Sequence, residues 1–423
     1  MGNDISWSLN SRSLFERFAV GLEEYTKNGT PPVMGDQDIQ FGLELQKKRL
    51  DSKNLSMELE FEPRGHFPDK SGPGKSWSDM RYVSTMEYRT CKMTRRFYRG
   101  GEKEFSDKDN KVFYQTITNV HNQEMVAGDV HSCPDCGAIT KLGELQKGCP
   151  YCGACFKITD IFPKVTNYYY VKDSGYTEKE IKKSIGTYML VVGLICTIGF
   201  PLYYYITDSE NTSSLVGAIL GSLPAGIFGG VVLGYMAWAL VHLGVMVKEA
   251  GKTVPMLSTI GSDKRFVAVM QKYSPEFSFI YFSDKIVSML KTIMYAEKPE
   301  ELPFYVGEPL QDVFQDVVDV AHVGPVGFQA FQISGNYCFV TLDVFLDTMY
   351  DKGNRLVEKR EKYRVYVKKN MTAPMNLGFS IRHLECKNCG TSFDATKQKL
   401  CPGCQSEYPV ADEDWVITRI VKK

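Results

Sequence analysis

Two stretches near the middle of this chain contain no charged residue: Ile185–Ile206, a run of 22, and Leu215–Met246, a run of 32. A helix crossing the hydrocarbon core of a bilayer needs about 20 apolar residues, so each run is long enough. Helices buried in soluble proteins rarely stay uncharged for so long. The runs therefore predict a transmembrane helical hairpin over residues 185–246, with soluble parts on both sides. As one straight helix the second run would extend about 48 Å, more than the roughly 30 Å core, so Pro224 marks the expected break and 225–246 the main span. Gly226, Gly230 and Gly234 recur at every fourth position. Small residues at that spacing let helix backbones approach closely, so this face is expected to pack on the first span or on a second copy, giving a homo-oligomer. His242 is the one strongly polar side chain of the spans, which read as anchors with no visible transport route.

The flanks set an orientation. Lys172, Lys179, Lys182 and Lys183 precede the first run, and Lys248 and Lys252 follow the second. The connecting "TDSENTSS" has no lysine or arginine and carries Asp208 and Glu210. The positive-inside rule then predicts a two-pass cell-membrane protein with both termini in the cytoplasm. Cysteine usage points the same way. Eight of the twelve cysteines stand in Cys-x-x-Cys pairs, and "MGNDISWSLNSRSLFERF" lacks an apolar signal region, which suits a reducing compartment. Lysine plus arginine and aspartate plus glutamate both number 50, so no bulk charge favours nucleic acid.

The pairs form two clusters: Cys133, Cys136, Cys149 and Cys152 within "CPDCGAITKLGELQKGCPYCG", and Cys386, Cys389, Cys401 and Cys404 within "CKNCGTSFDATKQKLCPGCQ". Two tight turns that each deliver two thiolates make a closed tetrahedral site suited to Zn²⁺. Gly137, Gly153 and Gly390 follow three of the four pairs, where a knuckle requires positive φ, while Gln405 follows the fourth. Four sulfurs saturate the metal. A catalytic zinc keeps an open position, so both ions are expected to be structural. His121 and His131 then find no vacancy, Cys155 is a spare thiol, and Cys91, Cys196 and Cys338 read as ordinary buried cysteines.

The two soluble parts follow one order. In the front, helical patterns ("SLFERFAVGLEEY", "DQDIQFGLELQKKRL") precede strands ("MELEFEP", "MRYVSTMEYRTCKMTRRFY", "KVFYQTITNV"), then a cysteine cluster, then a last strand, "CFKITDIFPKV". In the back, Phe282, Ile286, Val287, Leu290, Ile293 and Met294 share a helical face with Ser283 as the expected N-cap. Strands follow, with Tyr363, Val365 and Val367 on one side and a turn at 351–354, then the second cluster and "DEDWVITRI". This predicts a divergent duplication with a zinc ribbon spliced before the last strand of each half. The expected domains are 1–165 with its ribbon at 133–153, a linker at 166–184, the hairpin at 185–246, and 247–423 with its ribbon at 386–405. Asp319 and His322 are expected on a solvated loop.

"SPEFSFIYFSDKIVSMLKTIMYAEKPEELPFY", with Phe277 and Phe282 at the helix start, the Ala296-Glu297 exit and Trp415 in the last strand, resembles bacterial relatives of a mitochondrial domain. That domain is the C-terminal part of the inner-membrane import-motor tether, translocase subunit forty-four. The resemblance covers residues 255–423 and reaches 1–165 through the duplication alone. It implies an α+β fold of two nuclear-transport-factor-two-like (cystatin-like) cones, each a curved sheet around a helix with an apolar pocket. The inserted ribbon occurs among bacterial members and is absent from the mitochondrial ones. The expected function is a membrane-anchored binding or scaffold protein, not an enzyme, engaging the lipid bilayer and protein partners at the cytoplasmic face in protein translocation or membrane quality control. Two alternatives stay open: a membrane-anchored zinc-ribbon nucleic-acid binder, and a pocket that binds lipid or a small molecule and catalyses a reaction. The ribbons carry few basic residues, and no nucleophile elbow, phosphate loop or His-Glu metal motif occurs.

Overall fold

The computed structural model describes residues 13–63, 72–121, 125–159, 161–173, 178–207, 226–244, 263–310, 313–323, 326–372 and 380–423, together with 220 and 224. Ser13 starts the first helix. Its hydroxyl accepts the Glu16 amide while the Glu16 carboxylate accepts the Ser13 amide, so two otherwise orphaned donors are satisfied reciprocally. Helix α1 (Leu14–Asn28) and helix α2 (Gln37–Ser52, capped by Asp36) bury Phe15, Phe18, Leu22, Leu43 and Leu50. Strands β1 (Leu55–Pro63), β2 (Gly72–Ser78), β3 (Tyr82–Arg99) and β4 (Glu102–Val120) follow. The first ribbon holds β5 (Val130–Ser132), β6 (Ile139–Lys141) and a single-turn helix, α3 (Leu142–Leu145). It leads into β7 (Phe156–Thr159) and β8 (Lys164–Lys172).

Chain contacts define two units, Met1–Asp173 with Thr259–Lys423, and Ser174–Ser258. In the smaller unit α4 (Glu178–Thr207) lies against α5 (Gly226–Gly244). Among the described residues, α5 is the one helix long and apolar enough, by length and composition, to cross a membrane. The glycine face of α5 is taken up by α4. A Cβ on Gly226, Gly230 or Gly234 would stand 2.9, 2.2 or 2.6 Å from the Cα of Thr197, Gly193 or Met189. The partners run in opposite directions along the chain, so the helices are antiparallel, and only glycine permits this approach. Trp238 Nε1 donates to Ser184 Oγ at 3.2 Å along the same seam. Outward, Leu194, Ile198, Leu202, Phe228 and Leu240 are exposed, an apolar surface that water disfavours.

The back half opens with α6 (Lys264–Tyr273) and α7 (Phe279–Tyr295). The N-cap of α7 is Ser278 and not Ser283, which is buried and bonds back to the Ile280 carbonyl. Residues 282–284 and 286–295 of α7 are buried, so this helix is a core axis and not an amphipathic surface helix. Strands β9 (Val317–His322), β10 (Gly327–Ser334), β11 (Tyr337–Asp351) and β12 (Leu356–Asn370) follow, then β13 (Ser380–His383), the second ribbon and β14 (Val416–Lys422). Tyr363, Val365 and Val367 face the core, as their alternation predicts.

One ten-stranded sheet runs β1-β3-β4-β8-β9-β11-β12-β14, with β2 on β3 and β10 on β11. Its two halves repeat. In each, the first strand lies beside the third, the second pairs with the third, and the ribbon interrupts the chain between the fourth strand and its antiparallel neighbour. The halves meet where β8 runs parallel to β9, with Tyr169 opposite His322. The expected separation into a front domain and a back domain is therefore replaced by one shared unit. The expected linker over 166–184 also dissolves: 164–172 is the strand β8, whose Tyr168 and Tyr170 pack on the front core, and 178–184 belongs to α4. "CFKITDIFPKV" splits between β7 and β8, which join different sheets.

Candidate metal centres and the joint between the halves

All four Cys-x-x-Cys turns are built alike. Each closes at its fifth position, where Gly137, Gly153, Gly390 and Gln405 donate to the carbonyls of Cys133, Cys149, Cys386 and Cys401 at 2.8–2.9 Å. These four residues have φ of 74°, 75°, 71° and 61°. Gln405 thus adopts the left-handed conformation that glycine takes at the other three, at a steric cost of about 1 kcal/mol. The return bonds match too: Cys133, Cys149, Cys386 and Cys401 donate to Ala138, Ala154, Thr391 and Ser406.

Among the described residues, two groups of side chains can hold a metal ion, and they are the eight predicted cysteines. Within each group the sulfurs lie within 4.8 Å of one another. Cys133–Cys152 and Cys136–Cys149 stand at 3.8 Å, Cys386–Cys404 at 3.5 Å and Cys389–Cys401 at 3.6 Å. A tetrahedron with Zn–S of about 2.3 Å requires sulfurs about 3.8 Å apart, so the thiolate sets fit Zn²⁺. Backbone amides bring the Cys149 thiol down to about 7 and the Ser406 hydroxyl brings Cys404 down to about 5, while the neighbouring thiols Cys136, Cys152 and Cys401 are raised, so each cluster divides its protons unevenly before a metal binds. The ribbon cores are small. Leu142, Leu145, Phe156 and Ile158 fill the first, and Leu384, Phe393 and Tyr408 the second.

His121 lies away from the sulfurs, bonded to Ser78 Oγ and the Asp79 carbonyl. Cys155 is partly buried against the second ribbon, while Cys91 and Cys338 are buried and Cys196 is half-buried.

A second cluster lies outside the sequence expectation. Asp319 and His322 sit on β9, not on a loop, and His322 is 2% exposed. The carboxylate of Asp284 on α7 accepts Thr166 Oγ1 at 2.9 Å and Asn167 Nδ2 at 3.0 Å, both from β8. A row of buried hydroxyls, Ser84, Thr118 and Thr166, leads up to it with spacings of 2.9 Å. Asn167 Nδ2 also lies 3.2 Å from His322 Nδ1. Burial raises the Asp284 carboxyl to about 7 against the pull of Thr166 and Asn167, and lowers His322 to about 3. Burial also lowers Lys291, one face of α7 further on, to about 8. Asp319 accepts Gln46 Nε2 at 2.8 Å and Arg95 at 2.7 Å, joining α2, β3 and β9. Beside it, Tyr25, Arg95, Tyr168, Tyr170 and Asp319 line a cavity of about 20 Å³, room for one water. The one sequence signal for this cluster was α7 itself: a helix apolar on all faces must bury whatever charges it carries.

Comparison of the chain with family models, curated proteins and solved structures finds no significant match to any of them.

Proposed function

We propose that this chain is a membrane-anchored binding or scaffold protein. Its α4–α5 hairpin crosses the bilayer twice, its termini and larger unit lie in the cytoplasm, and zinc ribbons fix the ends of its sheets. The observation that carries this reading is the hairpin: two antiparallel helices in glycine-mediated backbone contact, with large aliphatic side chains turned outward on both. Buried packing explains such helices only if their outer faces are covered, and a bilayer covers them without a further protein. Positive flanks and a lysine-free loop support the two-pass orientation. Four thiolates per ribbon supply shape, not an open coordination position, so the ribbons are assigned no reaction. Helix α7 packs its buried side chains into the core beneath the sheet, which we read as the cone fold that the resemblance implies, and a role in protein translocation or membrane quality control extends that resemblance. The test is crosslinking of full-length protein in native membranes, followed by affinity purification and mass spectrometry. Secretion machinery, chaperones or a defined membrane complex crosslinked to the larger unit supports the scaffold reading. Recovery of lipid or a small molecule with no protein partner overturns it in favour of ligand binding.

A further inference from the structure

The two ribbons touch each other through a strand pair that belongs to neither half's main sheet. β7 leaves the first cluster four residues after Cys152, and β13 enters the second three residues before Cys386. They pair antiparallel, Phe156 with His383 through Thr159 with Ser380. The pairing continues past the strand ends. Leu384 donates to the Cys155 carbonyl at 2.8 Å, and the Cys155 amide donates to Ser392 Oγ at 2.9 Å. Ser392, between the two knuckles of the second ribbon, donates in turn to the Leu384 carbonyl at 3.0 Å, and its oxygen meets His383 Nε2 at 3.2 Å.

Side chains cross as well. Ile381, from the approach to the second ribbon, packs on the core of the first, and Cys155, from the exit of the first, packs on the core of the second. The rings of Phe156 and His383 lie 5.4 Å apart. Two further contacts tie this pair to the rest of the unit. Lys157 of β7 reaches Asp414 at 3.5 Å, beyond the second ribbon, and Lys397 of the second ribbon reaches Glu44 of α2 at 2.8 Å.

A four-residue strand pair is not stable in water unaided, and each residue held in one backbone conformation costs about 1–2 kcal/mol. Each strand here runs at one end into a Cys-x-x-Cys turn that a bound ion would fix. Fixing Cys149 and Cys152 therefore presents β7 already extended to β13, and fixing Cys386 and Cys389 presents β13 to β7. Whichever site is metallated first bears the ordering cost of an edge that the other site then uses.

We infer that the β7–β13 pair is a clasp that couples the two cysteine clusters, so that Zn²⁺ at either site raises the affinity of the other. The inference rests on the reading of both clusters as zinc sites. Loss of one ion, by chelation or by thiol oxidation, loosens the other ribbon and the contact it makes between the front and back halves.

The test is zinc competition against a chromophoric chelator on full-length protein in detergent. Wild type is compared with Cys136→Ser/Cys152→Ser, which removes the first site, and with Ser392→Ala, which removes the hydroxyl hub while keeping all eight cysteines. Coupling of the usual allosteric size predicts that the second site weakens about 5- to 150-fold when the first is removed. Ser392→Ala should still bind two zinc ions but release them in two separated steps, where wild type releases them together. Two ions in wild type, with the affinity of the second site unchanged in the double serine variant, would overturn the coupling while leaving the zinc reading intact. No zinc in wild type would overturn the zinc reading itself. If the double serine variant does not fold, joint or separate release in wild type and Ser392→Ala decides the matter alone.

Discussion

Arg49 Nη2 donates to the Ala296 carbonyl at 2.7 Å, so a front-half side chain closes the end of the back half's core helix. The same guanidinium reaches the carbonyls of Tyr295, Phe314 and Gln315. Helix C-termini leave carbonyls without partners, and at this buried end one planar fork satisfies several of them. Arg49 is 5% exposed and burial lowers its affinity for a proton, yet it stays charged against the negative end of α7.

Replacing Arg49 by leucine should therefore destabilise the larger unit by about 3 kcal/mol, since buried acceptors lose a charged donor. Lysine should restore little, because a point charge cannot bond four carbonyls on two segments. Denaturant unfolding of the full chain in detergent checks both. Equal stability of the lysine variant and wild type would show that charge alone matters.

The glycine contact in the hairpin gives a second prediction. Gly230→Val places side-chain atoms where Gly193 now lies, so α4 and α5 must separate. Cysteines introduced at Ser184 and Trp238, which touch along the same seam, should be joined readily by a short thiol crosslinker in an otherwise wild-type hairpin and poorly when Gly230→Val is added. Unchanged crosslinking would show that the helices slide past the obstruction without parting.

Asp284 makes stability depend on pH in a defined direction. Its folded carboxyl titrates near 7, above the unfolded value of about 3.9, so its stabilising contribution is complete below the unfolded value and is lost as pH rises toward 7. His322, held near 3 against about 6.5 when unfolded, works oppositely: its contribution is lost as pH falls below 6.5. The two offset each other in wild type. Asp284→Asn keeps only the histidine arm, so its stability relative to wild type should climb by about 1.4 kcal/mol per pH unit between about 4 and 7, then level off. Parallel pH–stability curves for the two proteins would refute the raised carboxyl. Lys291, near 8, adds a rise in stability above that pH in both proteins.

Much of this architecture was legible because local patterns decide it. Cys-x-x-Cys spacing dictates knuckles whatever the surroundings, and all eight cysteines converge as expected. Gln405 shows that the turn, not the glycine, is the invariant, since the chain accepts φ of 61° there to close the fourth knuckle. Element order revealed the repeat for the same reason. Pairings between distant segments were not legible. Nothing in "VTNYYYVK" or "VVDVAH" says that these segments become neighbours, because an edge strand carries no mark of the strand that will lie beside it. The Asp284 cluster was hidden with them, since Thr166, Asn167 and His322 meet only once β8 and β9 adjoin. The N-cap of α7 was misplaced by five residues because Ser278 and Ser283 both precede apolar runs, and only the burial of Ser283 separates them.

Metal content tests the two zinc ribbons most directly. Native mass spectrometry of full-length protein, purified without added metal or chelator, should show two zinc ions per chain, falling to one in Cys386→Ser/Cys404→Ser. A chain carrying no zinc, with its paired cysteines oxidised to disulfides, would contradict that reading.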